Sequence, residues 1–165
     1  MPSPPLPTTT PTPPTPPPAT NQYRQPPLRY LGYANELGEA FHPVLPPSLK
    51  LLYPASYAVA MAYVLADSKR CVELKPPGQS GGAVFADALL WQTAASVAIP
   101  GFVIGQIVKA SNRAAAKGGV RSKMVGTFVG LASIPLIISP IDHGVDYVMD
   151  NSIRKFLFDD AGKKT

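Results

Sequence analysis

Charge is scarce in this 165-residue chain: Asp, Glu, Lys and Arg together make up 15% of it, against roughly a quarter in soluble domains. Cysteine is scarcer still, with Cys71 alone. No intramolecular disulfide can form, and no Asn-x-Ser/Thr acceptor occurs, so nothing argues for an oxidising secretory route. Two histidines, His42 and His143, and that one cysteine offer no visible triad or metal cluster. A phosphate loop is missing too. Gly162-Lys163 lacks the upstream glycine and the following Ser/Thr, and Gly118-Gly119 opens no dinucleotide fingerprint. The expectation is a protein that is not an enzyme and needs no cofactor. Asp142, Asp146 and Asp150 beside His143 lack the spacing of a calcium loop and read as a solvated helical face, so no metal is expected. Despite a net charge of +5, nucleic acid is not expected, because the basic residues cluster in one connector without an aromatic-rich basic surface.

Proline is abundant, at 21 residues, and twelve of these fall in the first 27. Proline fixes φ and removes a backbone donor, so residues 1–27 are expected to be a disordered Pro/Thr-rich tail biased to polyproline II. The stretch resembles neither a secretory signal nor an Arg-rich amphipathic presequence, so any import signal is expected further in. Residues 28–158 then form one multi-pass helical membrane domain, and residues 159–165 a C-terminal tail.

Three charge-free stretches dominate that domain. Leu51 to Ala66, extended back to Ser48 as a plausible N-cap with Lys50 snorkelling, gives a first span at about residues 48–66. Ala88 to Val108 and Met124 to Ile141 give the others, at about 88–108 and 124–141. All fit the ~20 residues needed to cross ~30 Å of hydrocarbon. A soluble bundle would show a polar stripe every third or fourth residue, which the second stretch, interrupted only by Gln92, Gln106 and a few hydroxyls, lacks.

Small residues recur within the spans. Gly101 and Gly105 form one GxxxG, Gly126 and Gly130 another, and Ala58, Ala62 and Ala66 make a small-residue ridge; each is expected to let helices approach closely, within the chain or between copies. Pro54, Pro100 and Pro135 are expected to kink their helices unless the ring falls in a first turn.

Either side of the spans, Leu28–Phe41 is expected to be a short amphipathic helix that lies along the membrane or docks on the bundle, since Arg29, Glu36 and Glu39 forbid a span there. Beyond the third span, Ile141, Val145, Val148, Met149, Ile153, Phe156 and Leu157 share a face, which predicts an amphipathic C-terminal helix with an Asp150–Arg154 pair. Asp67 to Asp87 reads as a flexible connector. In the second connector Lys109, Arg113, Lys117 and Arg121 step by four: either a rail for anionic head groups such as cardiolipin, or the usual enrichment of Lys and Arg in loops that stay inside. Counting Lys and Arg near span ends puts the N-terminus, with Arg29, and this connector together on the matrix side.

Four blocks resemble the mitochondrial fission process protein 1 family, the 18 kDa mitochondrial proteins: Arg29 to Phe41 (RYLGYANELGEAF), Tyr63 to Asp67, Trp91-Gln92 with Ala95 to Phe102, and Ile134 to Lys155. Within them Tyr30, Gly32, Tyr33, Asn35, Glu36, Pro100, Pro135, Pro140, Asp142 and Asp146 carry the pattern. The resemblance implies a small multi-pass protein of the mitochondrial inner membrane that promotes division and influences inner-membrane integrity, with no established catalytic site. The expected fold class is therefore all-α membrane protein, three transmembrane helices plus amphipathic N- and C-terminal helices. The expected partners are the inner membrane, cardiolipin as a candidate lipid, and a membrane-protein partner or second copy. A scaffold or adaptor role is the first functional expectation; a transporter or regulator of an inner-membrane carrier is the alternative.

Overall fold

A computed structural model describes residues 20–120 and 122–159; the expected disordered tail up to residue 19, Arg121 of the basic rail and residues 160–165 of the C-terminal tail lie outside them. The regular elements of the described residues are all helical, with no strand. Three helices are long and apolar enough to cross a membrane: Pro47–Glu73, Gly81–Lys117 and Met124–Asn151.

The first begins as a 3-10 turn, Pro47–Leu49, and continues as α2, Leu52–Glu73. Ser48 caps nothing, since no side chain bonds to the helix start. Pro54 sits in the first turn, where no intrahelical N–H is owed. The connector expected over residues 67–87 shrinks to a short turn, because α2 runs on to Glu73 and α3, Gly81–Gln92, starts at once behind Ser80, whose Oγ accepts from Ala83 N at 3.4 Å. Both helices outrun their apolar stretches because Asp67 and Asp87 each find a partner.

The central helix is continuous over 37 residues, about 55 Å at 1.5 Å per residue. Its middle, Thr93–Ala98, is a π segment between α3 and α4, Ile99–Lys117. Pro100 stands just after it. A proline inside a helix removes one ladder bond and crowds the preceding turn, and a π turn takes up that mismatch without breaking the rod. Gly119, with φ +83°, ends α4: Val120 N bonds to Ala115 O at 2.8 Å and Gly119 N to Ala116 O at 3.1 Å, the two bonds of a Schellman stop.

α5, Met124–Asn151, is one helix of 28 residues, so the expected third span and much of the expected C-terminal helix are a single element. Pro135 and Pro140 lie inside it, both exposed. The break comes at Ser152, after which α6 covers Ile153–Asp159.

The N-terminal segment is built into the bundle. After 3-10 turns at Gln22–Arg24 and Leu28–Tyr33 comes α1, Ala34–Phe41. Asn21 reaches Asp67 near the end of α2, Gly32 lies on Tyr63, and Glu39 meets Tyr53 and Tyr57 near the start of α2. The segment thus runs antiparallel to α2, from the end of the bundle where α2 and α5 finish toward the end where α4 finishes. Two expectations change. Residues 21–27 belong to the fold rather than to the tail, and Arg29 sits at the opposite end from the basic connector. Of the charges that argued against a span here, Arg29 is held by Tyr33 and Glu39 by Tyr53 and Tyr57, while Glu36 is buried without a hydrogen-bond partner.

The core is thin and lies between helices. Ala60, Tyr63, Val64 and Val97 form one cluster, Ala40, Ile104 and Val108 a second, Ala95, Val145 and Met149 a third. Large apolar side chains point outward instead: Phe102, Phe128 and Leu136 are 67%, 64% and 74% exposed. In water each would forfeit about 1.5–3 kcal/mol of burial; against lipid tails that cost vanishes.

Candidate functional site

Polar groups gather at one end of the bundle around a cavity of about 230 Å³. Each block that carries the family resemblance contributes to its wall: Gly32, Tyr33 and Glu36 from the first, Tyr63 from the second, Gln92, Ala95 and Ser96 beside Trp91 from the third, Ile138 and Asp142 from the fourth. Arg24 and Arg29 complete the lining.

The back wall is a hydrogen-bonded chain. Asp67, fully buried, accepts from Asn21 Nδ2 at 2.6 Å, from Gln92 Nε2 at 2.6 Å and from Arg24 Nη2 at 3.3 Å. Gln92 Oε1 in turn accepts from Ser96 Oγ at 2.7 Å. Three donors on one carboxylate explain how a charge survives in this interior. Burial pulls the Arg24 guanidinium down, but Asp67 and then Cys71 outweigh it and hold it above its ordinary value. Tyr63 donates to Tyr23 O at 2.9 Å. A side chain on Gly32 would put its Cβ 2.9 Å from the Tyr63 ring, so only glycine lets this backbone lie on it.

On α1 the polar residues divide sharply. Asn35 donates to Val97 O at 3.1 Å, tying the helix to the π segment. Glu39 Oε1 accepts from Tyr53 Oη at 2.7 Å and Tyr57 Oη at 2.6 Å. Glu36, only 1% exposed, has neither carboxylate oxygen bonded. Burial pushes its carboxyl up to about 8. Trp91 Nε1 is likewise a buried donor without a partner, the residue lining both this cavity and a neighbouring one. Arg29 gives its Nε to Tyr33 Oη at 3.0 Å, and that hydroxyl, with Asp142 further off, holds the guanidinium above its ordinary value.

A second charged cluster closes the same end. Arg154 Nε meets Asp87 at 2.7 Å, and its Nη1 meets Asp150 at 2.8 Å and Asp146 at 2.9 Å. The Asp150–Arg154 pair was legible as a helical i,i+4 spacing; the long-range partner Asp87 was not. Among the described residues no group of three His, Cys, Asp or Glu side chains is placed to hold a metal.

The other residues singled out from sequence are distributed as follows. A Cβ on Gly101 would lie 2.8 Å from Tyr57 Oη, on Gly105 3.0 Å from Glu39 Oε2, on Gly126 2.6 Å from Val108 O, and on Gly130 2.6 Å from Val108 Cγ2. All four glycines therefore stand where another segment comes close. Within the chain Ala58 and Ala62 do not: both are exposed, and α2 packs through Ala60, Tyr63, Val64, Asp67 and Ser68. That leaves an approach between copies as the use open to this ridge. Lys109, Arg113 and Lys117 are exposed along the last turns of α4. Of the motif residues, Tyr30 is exposed, Pro100 is buried beside the π segment, and Asp146 serves Arg154.

Three span-capable helices, with an N-terminal segment packed among them around a polar cavity, define a small all-helical protein of membrane-spanning proportions. It belongs to the mitochondrial fission process protein 1 family. The chain is 44% identical over 154 residues to mitochondrial fission process protein 1 of Homo sapiens, covering 86% of this chain and 90% of that one. It is 40% identical over 146 residues to the proteins of the same name from Danio rerio and Caenorhabditis elegans, covering 81% of this chain and 86% of each. The profile of the mitochondrial 18 kDa protein family matches residues 72–149. No solved structure matches the chain.

Proposed function

We propose that this chain is a multi-pass protein of the mitochondrial inner membrane that promotes mitochondrial fission as a scaffold, organising lipid and protein partners without catalysing a reaction. The observation that carries this reading is the likeness, over most of its length, to proteins named for the fission process, together with three helices whose outer surfaces are apolar and suited to lipid. The basic end supports an orientation as well. Lys109, Arg113 and Lys117 are exposed and enter no ion pair among the described residues, so with Lys50, Arg121 and Lys123 they suit a leaflet rich in anionic lipid such as cardiolipin on the matrix side.

A carrier-type transporter is favoured only by the polar cavity. Transporter sites lie near the bilayer midplane between moving halves, whereas this cavity starts at the level where the apolar stretches end. The scaffold reading therefore stands first. Raising the level of the chain in cells should fragment the mitochondrial network and depleting it should elongate the network; a network unchanged by both would overturn the proposed role.

A further inference from the structure

Glycine inside a helix is destabilising unless something needs the room its missing side chain leaves. Gly38, Gly101, Gly105, Gly126 and Gly130 each have such a neighbour, with an atom 3.0 Å or less from where a Cβ would stand; around Gly144, in α5, nothing lies within 4 Å. Gly144 is exposed and opens into a groove of about 500 Å³ between the central helix and α5. Leu90 and Ile99 line one side, Val148 and Ile153 the other, and Val145 and Met149, both buried, lie at its floor. No charged side chain lines it.

Depth makes this face unusual. The third apolar stretch ends at Ile141, and Asp142, Asp146 and Asp150 follow on the other side of α5, one toward the polar cavity and two toward Arg154. Over the same turns Gly144 and Val148, and then Ile153, keep this side apolar. The charges put these turns at or past the edge of the hydrocarbon, where head groups do not match an aliphatic groove, and an apolar face left in that position marks a contact with protein. A lipid tail would lie as well against alanine as against Gly144, whereas a second helix gains from the closer backbone approach that glycine allows. The alanine ridge of α2 suits lipid and protein equally.

Symmetry and charge select the occupant. Two copies embedded in one membrane with the same orientation are related by a two-fold axis along its normal, so each residue meets its counterpart at its own depth. A charge near that axis would face itself, and the groove has none. Its rim is self-complementary. His143 Nδ1 lies 2.6 Å from Ser139 O, a carbonyl that can only accept, so Nδ1 carries the proton and Nε2 of the neutral ring is left as an acceptor. One turn on, Tyr147, 72% exposed, offers a hydroxyl donor. We propose that a second copy of this chain occupies the groove, α5 against α5 with Gly144 at the crossing, and Tyr147 of each copy donating to His143 of the other. The proposal rests on the membrane-embedded reading given above and supplies the scaffold with one protein partner.

Cys71 is the single cysteine of the chain, so Cys71→Ser gives a clean background for cross-linking. Gly144→Cys in that background has open space for its side chain. Oxidation of the membranes with copper phenanthroline should join it to a second copy, giving a band of twice the chain's mass that contains no other protein. Ala62→Cys on the ridge of α2 and Phe128→Cys on the outer face of α5, both exposed, should link several-fold less. Equal linking at either control position, or linking of position 144 only to a different protein, overturns the proposal. A second measurement covers the case in which the new thiol itself parts the copies. The detergent-solubilised wild-type chain should have the mass of a dimer, and Gly144→Leu should weaken association about tenfold or more, as an overpacked contact does, while the monomer keeps its melting because the added side chain enters open space. A monomeric wild type, or a dimer that Gly144→Leu leaves intact, overturns the proposal. The two readings fail separately: a chain stripped from membranes by alkaline carbonate defeats the embedded reading, whereas an embedded chain that stays monomeric defeats only this one.

Discussion

Gln92 Nε2 lies 2.6 Å from Asp67 Oδ2, joining two buried polar groups on neighbouring helices. Each would be a liability alone, and together they fix the register of α2 against α3. Gln92→Leu leaves the carboxylate one donor short and should cost about 1–3 kcal/mol. Gln92→Glu sets two carboxylates against each other and should cost more at neutral pH, with recovery on acidification. Thermal melting of the detergent-solubilised variants reads both; wild-type melting for both would mean that this pair does not hold the helices together.

Glu36 gives stability a pH dependence of definite sign. Unfolded, it ionises near the ordinary 4.5; folded, near about 8. Below the first value both states hold the proton and burial carries no charge penalty. Between the two the folded state holds one proton more than the unfolded, so this group's contribution falls as pH rises and is fully lost above about 8. Glu36→Gln should flatten this part of the profile, leaving any slopes from Asp142, Arg24 and Arg29 around the same cavity. Equal slopes in wild type and variant between pH 5 and about 8 would remove Glu36 from the account.

Gly126 and Gly130 face Val108 at distances that leave no room for a methyl group. Gly126→Ala meets a backbone carbonyl and the Asn112 side chain, which already binds Gly126 N at 2.9 Å, and should cost about 1–3 kcal/mol as an overpacked contact. Ala58→Leu and Ala62→Leu, on the exposed face of α2, should be tolerated by the folded chain. Melting of the three variants side by side tests the packing; tolerance of Gly126→Ala would mean that α4 and α5 are further apart.

Replacing Lys109, Arg113, Lys117 and Arg121 together by Gln should reduce cardiolipin co-purification, each basic residue near an anionic surface being worth about 1 kcal/mol. A correctly inserted variant that retains its cardiolipin would leave orientation as the only role for these charges.

The three long helices were legible because an uncharged stretch of span length has few other uses. Their ends were not. Hydropathy stopped α2 at Ala66 and began the next span at Ala88, since nothing local reveals that Asp67 will meet Asn21, Arg24 and Gln92, or that Asp87 will meet Arg154. The same limit hid the path of the N-terminal segment. Arg29, Glu36 and Glu39 read as charges that lipid would reject, and only the tertiary fold supplies Tyr53, Tyr57 and a cavity in place of lipid. The local sign of it lies in Gly32 and Gly38, where an added Cβ would meet Tyr63 and Ser56, since glycine in such a segment signals close approach. The π segment was half legible: Pro100 announced a disturbance but not its form.

The most direct measurement is protease digestion of mitochondria and mitoplasts carrying the chain with a C-terminal tag, after alkaline carbonate extraction has separated embedded from peripheral protein. The chain should stay in the membrane pellet, with the tag intact in whole mitochondria and removed once the outer membrane is ruptured, because α5 and α6 end opposite the basic connector. Release by carbonate, loss of the tag in intact mitochondria, or a tag protected in mitoplasts would contradict, in turn, the embedded bundle, its inner-membrane location and its orientation.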